Sequence, residues 1–128
     1  MAIDITFLGH SGFLISDGRH ALAIDPFLTG NPVAKHTPAD IACQYIALTH
    51  GHADHFGDTL EIARANNATV IAAFELANYC QAQGTEKVEP ANPGGRVYTD
   101  FGYVAFTPAF HSSSVDGKYM GQPCGLVI

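Results

Sequence analysis

The sequence predicts an α/β (α+β) fold built on a mixed β-sheet with helices on one face. Three observations predict it. The opening segment alternates apolar and polar residues at period two, the middle alternates short apolar runs with helical patterns, and the closing segment returns to period-two runs separated by turn residues.

Residues 3–9 and 12–16 read as two strands joined by a Gly-His-Ser-Gly turn. Asp17-Gly18 supplies the next turn and residues 21–25 a third strand, so the chain begins as an antiparallel meander. Residues 26–40 are rich in Pro, Gly, Asn and Thr without periodicity and read as a long surface loop of the kind that shapes a site. Residues 43–49 form a mostly apolar run, a buried strand that stops at a histidine cluster. Asp58 with Glu61 matches a capping box, which predicts a helix over about residues 57–66, ended by Asn66-Asn67. Residues 69–73 are a short apolar strand, and residues 75–83 a second helix with Gly84 just past its end. Residues 90–95 read as turn, residues 96–99 and 103–107 as a hairpin around Asp100-Phe-Gly102. A polar loop over residues 111–122 then leads to a last strand at 124–128.

At 128 residues, 47% hydrophobic and 14% charged, the chain suits one domain, residues 1–128, and is too short for two. Six basic against 12 acidic residues give a net charge of -6, and the Lys and Arg residues do not cluster. That excludes a broad basic face, so neither nucleic acid nor an anionic membrane surface is expected as a partner. No apolar run is long enough to span a bilayer, and the N-terminus lacks a basic segment followed by an apolar stretch, so a cytoplasmic location is expected. Cys43, Cys80 and Cys124 are widely spaced and odd in number, which predicts buried free thiols rather than a disulfide framework.

The chemistry concentrates in Thr49-His-Gly-His-Ala-Asp-His55, where His50, His52, Asp54 and His55 are separated only by Gly and Ala. At an extended strand end His50 and His52 point to one side, so both imidazoles reach one cation at about 2.0–2.1 Å. Asp54 and His55 follow after a turn and can serve a second cation or hold water on the first. Imidazole with carboxylate suits zinc, with manganese or iron as alternatives, better than calcium or magnesium. The bland reading, surface polar residues with Asp54 as a helix cap, needs one carboxylate and leaves three neighbouring histidines unexplained.

This stretch resembles the His-x-His-x-Asp-His motif of the metallo-β-lactamase superfamily. Together with Leu8-Gly-His-Ser-Gly-Phe-Leu-Ile15, Ala23-Ile-Asp-Pro-Phe-Leu-Thr-Gly-Asn-Pro32 and Pro108-Ala-Phe-His-Ser-Ser-Ser114, it is similar to the UPF0173 group of metal-dependent hydrolases within that superfamily. The resemblance runs the length of the chain. It implies the N-terminal half of an αββα sandwich, with His50, His52 and His111 binding one metal and Asp54 and His55 contributing to a second. His111 is matched by its setting, a strand end followed by three serines. Complete members continue with a Gly-Asp-Thr segment whose aspartate bridges the metals, and with a later histidine; neither is present here. The expectation is a chain without its C-terminal half, with an exposed sheet face that makes a homo-oligomer or binds a complementing C-terminal half.

His10, in its turn, is expected to support the site or form its substrate wall, with ordinary turn packing as the alternative. Asp25 is expected near the metal site, hydrogen-bonding a ligand histidine, with a turn-initiating aspartate as the alternative. His20 and His36 read as solvated, Glu75 as an acid at a helix start. Ser112, Ser113 and Ser114 are not read as nucleophiles, because a metal-bound imidazole cannot also serve as a serine's general base. The implied function is a hydrolase acting through a metal-bound hydroxide on an ester, lactone or phosphodiester bond of a small-molecule substrate. Catalytic Asp54 would orient that hydroxide or take its proton. The alternative is a non-catalytic metal-binding half-domain or fragment that needs a second half to function.

Overall fold

The computed structural model describes residues 2–128. Three antiparallel strands open the chain, β1 (Asp4–Gly9), β2 (Gly12–Ser16) and β3 (Ala21–Ile24); β4 (Tyr45–Ala47), β5 (Thr69–Ala73) and β6 (Val88–Ala91) then add in parallel, in the order β1-β2-β3-β4-β5-β6. A second sheet, ordered β11-β8-β7, joins β7 (Arg96–Thr99), β8 (Gly102–Pro108) and β11 (Cys124–Val127) in antiparallel pairs. The mixed sheet and the helices agree with the expected α/β class.

The first sheet is covered on both faces, which explains why β4 and β5 are nearly all apolar. On one face Ala23, Ile46, Val70 and Ala72 pack with Ile62 and Ala63 of α2 (Thr59–Asn66) and with Leu76, Ala77 and Cys80 of α3 (Phe74–Ala82). On the other, Leu22, Ala47 and Ile71 meet Val104, Phe106 and Cys124 of the second sheet. The three layers are therefore helix, sheet, sheet. The second sheet stops short of β1 and β2, which leaves the inner face open along β1: Ile5 is 66% and Phe7 59% exposed. All three cysteines are free and buried, as expected, and burial pushes the Cys43 thiol up to about 11 and Cys80 to about 12. Among the described residues no helix is long and apolar enough to cross a membrane.

Four local readings change. Residues 53–56 form a separate one-turn helix, α1 (Ala53–Phe56), too short to leave a periodic signal. Residues 90–91, read as turn, belong to β6, where proline is tolerated because the strand is at the edge and needs no N–H on its outer side. The 111–122 loop contains a hairpin, β9 (Ser114–Val115) with β10 (Lys118–Tyr119), turned by Asp116 and Gly117 at φ 50° and 77°. Asp58 stands at the N-cap of α2 without a side-chain cap bond. Its carboxylate instead accepts the Leu28 and Thr29 N–H groups, both at 2.9 Å. His20 and His36 are also less solvated than expected: both are half-buried, and His20 Nδ1 lies 3.0 Å from Asp17 Oδ2.

Candidate metal centre

The site forms where the C-terminal ends of the parallel strands β3 and β4 leave the sheet side by side. Asp25 follows β3, and its N–H donates to Ala47 O of β4 at 3.2 Å, which fixes the two strand ends in register. The chain after β4 then runs through Thr49 and His50, and His52 occupies the N-cap of α1, which carries Asp54 and His55 on a single turn. The loop after β8 brings His111 from the second sheet. Gly51 sits under it so closely that a Cβ there would lie 3.1 Å from Ser114 O, and its N–H donates to buried Ser113 Oγ at 3.0 Å.

Three overlapping groups result, each with one potential ligand atom per residue within 4.8 Å of the others: a first cluster of His50, His52 and His111, a second of His10, Asp54 and His55, and a third, Asp25 with His50 and His55, that links them through a carboxylate already engaged by hydrogen bonds. In the first, ring centroids are 4.7 Å apart for His50–His52, 4.8 Å for His50–His111 and 5.1 Å for His52–His111. The structure thus brings together all five residues that the motifs single out as ligands, and adds His10 to the second group.

Asp25 is the anchor of this arrangement. Only 2% exposed, it accepts the Thr49 N–H at 2.9 Å on Oδ1, and on Oδ2 the Thr49 hydroxyl at 2.6 Å and His55 Nδ1–H at 2.9 Å. The Thr49 hydroxyl has one proton, which goes to Asp25, so at 2.8 Å it accepts from His50 Nδ1. Both histidines therefore carry their proton on Nδ1 and keep a lone pair on Nε2. His50 Nε2 is buried with no hydrogen-bond partner, an expensive state unless a cation accepts the lone pair. Burial, and next the neighbouring His55, His52 and His111, push His50 down to about 4 against the weaker opposing pull of Asp54, so the ring is neutral at pH 7, the form that ligates. The donor set fits a borderline transition metal. Sequence reasoning missed Thr49 and Ser113, whose roles depend on contacts from distant segments; Ser112 Oγ lies 3.3 Å from His52 Nε2 and belongs to the same wall.

Replacing Asp25 with alanine leaves three donors without a partner, two of them on Thr49. We expect a loss of about 3 kcal/mol in the metal-free protein and about 10- to 100-fold weaker metal binding. Urea unfolding and a chelator-competition titration measure the two effects; an unchanged unfolding midpoint would show that Asp25 does not anchor the loop.

A family model described as a beta-lactamase superfamily domain matches residues 4–115. The chain is 46% identical over 127 residues to a UPF0173 metal-dependent hydrolase of Carboxydothermus hydrogenoformans, covering 97% of this chain and 56% of that protein. A UPF0173 metal-dependent hydrolase of Thermus thermophilus is 40% identical over 127 residues, with 98% and 56% covered. Among solved structures, the metallo hydrolase Igni18 of Ignicoccus hospitalis superposes with a TM-score of 0.84 at 33% identity, covering 98% of this chain and 55% of that one. The diiron β-hydroxylase CmlA of Streptomyces venezuelae shares the fold at a TM-score of 0.74 and 19% identity, with 97% and 27% covered. The chain spans about half the length of the UPF0173 relatives it matches. With a match that takes in β1 to β9 and every residue of both clusters, the chain belongs to the beta-lactamase superfamily.

Proposed function

We propose that this chain is the metal-binding half of a metal-dependent hydrolase that cleaves an ester, lactone or phosphodiester bond of a small substrate. The observation that carries this reading is the orphaned Nε2 of buried His50 inside a three-histidine cluster, next to a second cluster that contains a carboxylate. The names of the UPF0173 relatives and of Igni18 support it.

In this reading His50, His52 and His111 hold one cation, and Asp54 and His55 contribute to a second; zinc suits the donors, with manganese or iron as alternatives. Held by these residues, a transition metal would supply Lewis-acid chemistry, acidifying water toward a pKa of about 7 and polarising the bond under attack. The chain's own residues do the rest. Asp25 and Thr49 keep His50 and His55 in the tautomer that ligates. Asp54, with its side chain 51% exposed, faces solvent from the cluster and orients the attacking water or takes its proton. The half-length match and the exposed strip on β1 and β2 support completion of the protein by a second copy or by a C-terminal half. Three buried free thiols support a cytoplasmic setting.

The test is metal removal. Native mass spectrometry before and after chelation gives cations and copies per particle, and a panel of nitrophenyl esters, lactones and bis-nitrophenyl phosphate gives turnover. Hydrolysis should vanish with the metal and return with zinc or manganese. Equal turnover in the chelated protein, or no metal uptake after reconstitution, would overturn the reading.

A further inference from the structure

We infer that His10 completes the second metal position, so that this chain alone supplies three side-chain donors to each of two cations. The inference rests on reading the clusters as a metal centre and adds a ligand outside the 50–55 motif.

His10 Nε2 lies 3.3 Å from Asp54 Oδ2. Two ligands of one tetrahedral cation at about 2.0–2.1 Å are separated by roughly 3.3–3.4 Å. His55 Nε2 is 4.0 Å from the same oxygen, and one donor atom from each of the three residues lies within 4.8 Å of the others. The rings of His10 and His55 stand 5.2 Å apart at 82°, against 5.1 Å and 74° for His52 and His111 in the first cluster. Equivalent pairs of edge-to-face imidazoles thus flank both positions.

Proton placement agrees. His55 spends its Nδ1 proton on Asp25, which leaves Nε2 as the lone-pair nitrogen facing Asp54. His10 places Nδ1 3.1 Å from Ser11 Oγ, which leaves Nε2 toward Asp54. The Ser11 hydroxyl can accept from Nδ1–H, the arrangement that puts the lone pair on Nε2 and that Thr49 imposes on His50.

The backbone is bent to this purpose. His10 has φ 57°, a left-handed conformation uncommon for a residue with a side chain, directly after Gly9 at φ 96°. That bend turns the ring away from β1 and back over the strand ends, where Phe27 packs edge-on against it at 5.7 Å. A residue needed only to turn a hairpin would be served by glycine or asparagine without an imidazole held at ligand distance from a carboxylate.

The alternative is that a protonated His10 pairs with Asp54 as an ion pair and ligates nothing. The two readings differ in metal count. Cobalt(II) titration of the purified chain, followed by native mass spectrometry and by the visible d–d bands, separates the cations by stoichiometry and affinity. Wild type should take two cations. His10→Asn keeps a residue that tolerates the left-handed backbone, and should take one, with the weaker dissociation constant raised at least about 100-fold and the tighter one within about threefold of wild type. His10→Asp, which retains an oxygen donor at the same backbone conformation, should hold the second cation more tightly than His10→Asn, and circular dichroism checks that both are folded. Two cations in His10→Asn at wild-type affinity would overturn the assignment. One cation in wild type, unchanged in His10→Asn, would also overturn it while leaving the hydrolase reading in place. No cation in wild type would overturn both.

Discussion

Replacing His52 with alanine should remove the first cation and lower hydrolysis about 1,000-fold while leaving the fold standing. The energetics are unequal on the two sides. His52 is half-buried, and although it occupies the N-cap of α1 it makes no side-chain cap bond there, so truncation opens no core cavity and breaks no cap. Its contacts are the rings of His50 and His111 and the Ser112 hydroxyl, all within the site. Two imidazoles are too few to hold a transition metal in competition with solvent. Losing the metal forfeits several kcal/mol of transition-state stabilisation, and about 4 kcal/mol is about three orders of magnitude in rate. Metal analysis, turnover on whichever ester or phosphodiester the wild type cleaves, and thermal unfolding check the three parts together. Unchanged turnover in a metal-depleted His52→Ala protein would remove the metal from the mechanism.

Gly57→Ala should be the most destabilising single-methyl addition near the site. Gly57 links α1 to α2 at φ 46° and ψ -123°, a combination that residues with a Cβ rarely adopt. An added Cβ would stand 2.6 Å from Pro26 O and 2.8 Å from Phe27 N, and would also strike Phe27 Cα. These are backbone atoms that cannot rotate aside. They are also held in place, since Asp58 N–H donates to Pro26 O at 3.0 Å and the Asp58 carboxylate takes the N–H groups of Leu28 and Thr29. Strain and clash together should cost about 3–5 kcal/mol, a fall in melting temperature of at least about 10 °C. Metal affinity should fall as well, because the loop pushed away begins at Asp25, the acceptor that holds Thr49 and His55. A melting temperature within a degree of wild type would show that the two loops are not fastened to one another here.

The elements legible in the sequence were those with a sustained period or a clear turn: β1 to β3, β5, α3 and the hairpin of β7 and β8. What escaped was short or depended on position in the sheet. A four-residue turn such as α1 carries no periodicity, and Pro90 argues for a turn until β6 is known to be an edge strand. The Asp58–Glu61 spacing satisfied a local rule, yet the Asp58 carboxylate found backbone donors 29 and 30 residues away. A side chain chooses among all partners within reach, and distant ones are invisible to spacing.

The site divides along the same line. Spacing alone placed His50 and His52 on one side of a strand end, and residue chemistry alone pointed to a cation with nitrogen and oxygen donors. These are local properties, set by strand geometry over three residues and by the donor atoms themselves. That His111 joins them, that Asp25 saturates its oxygens with Thr49 and His55, and that His10 comes to 3.3 Å from Asp54, were decided by the tertiary structure. The parallel pairing of β3 with β4 and the packing of the second sheet bring together residues 24 to 61 positions apart in the chain, and no local pattern encodes a separation of that length.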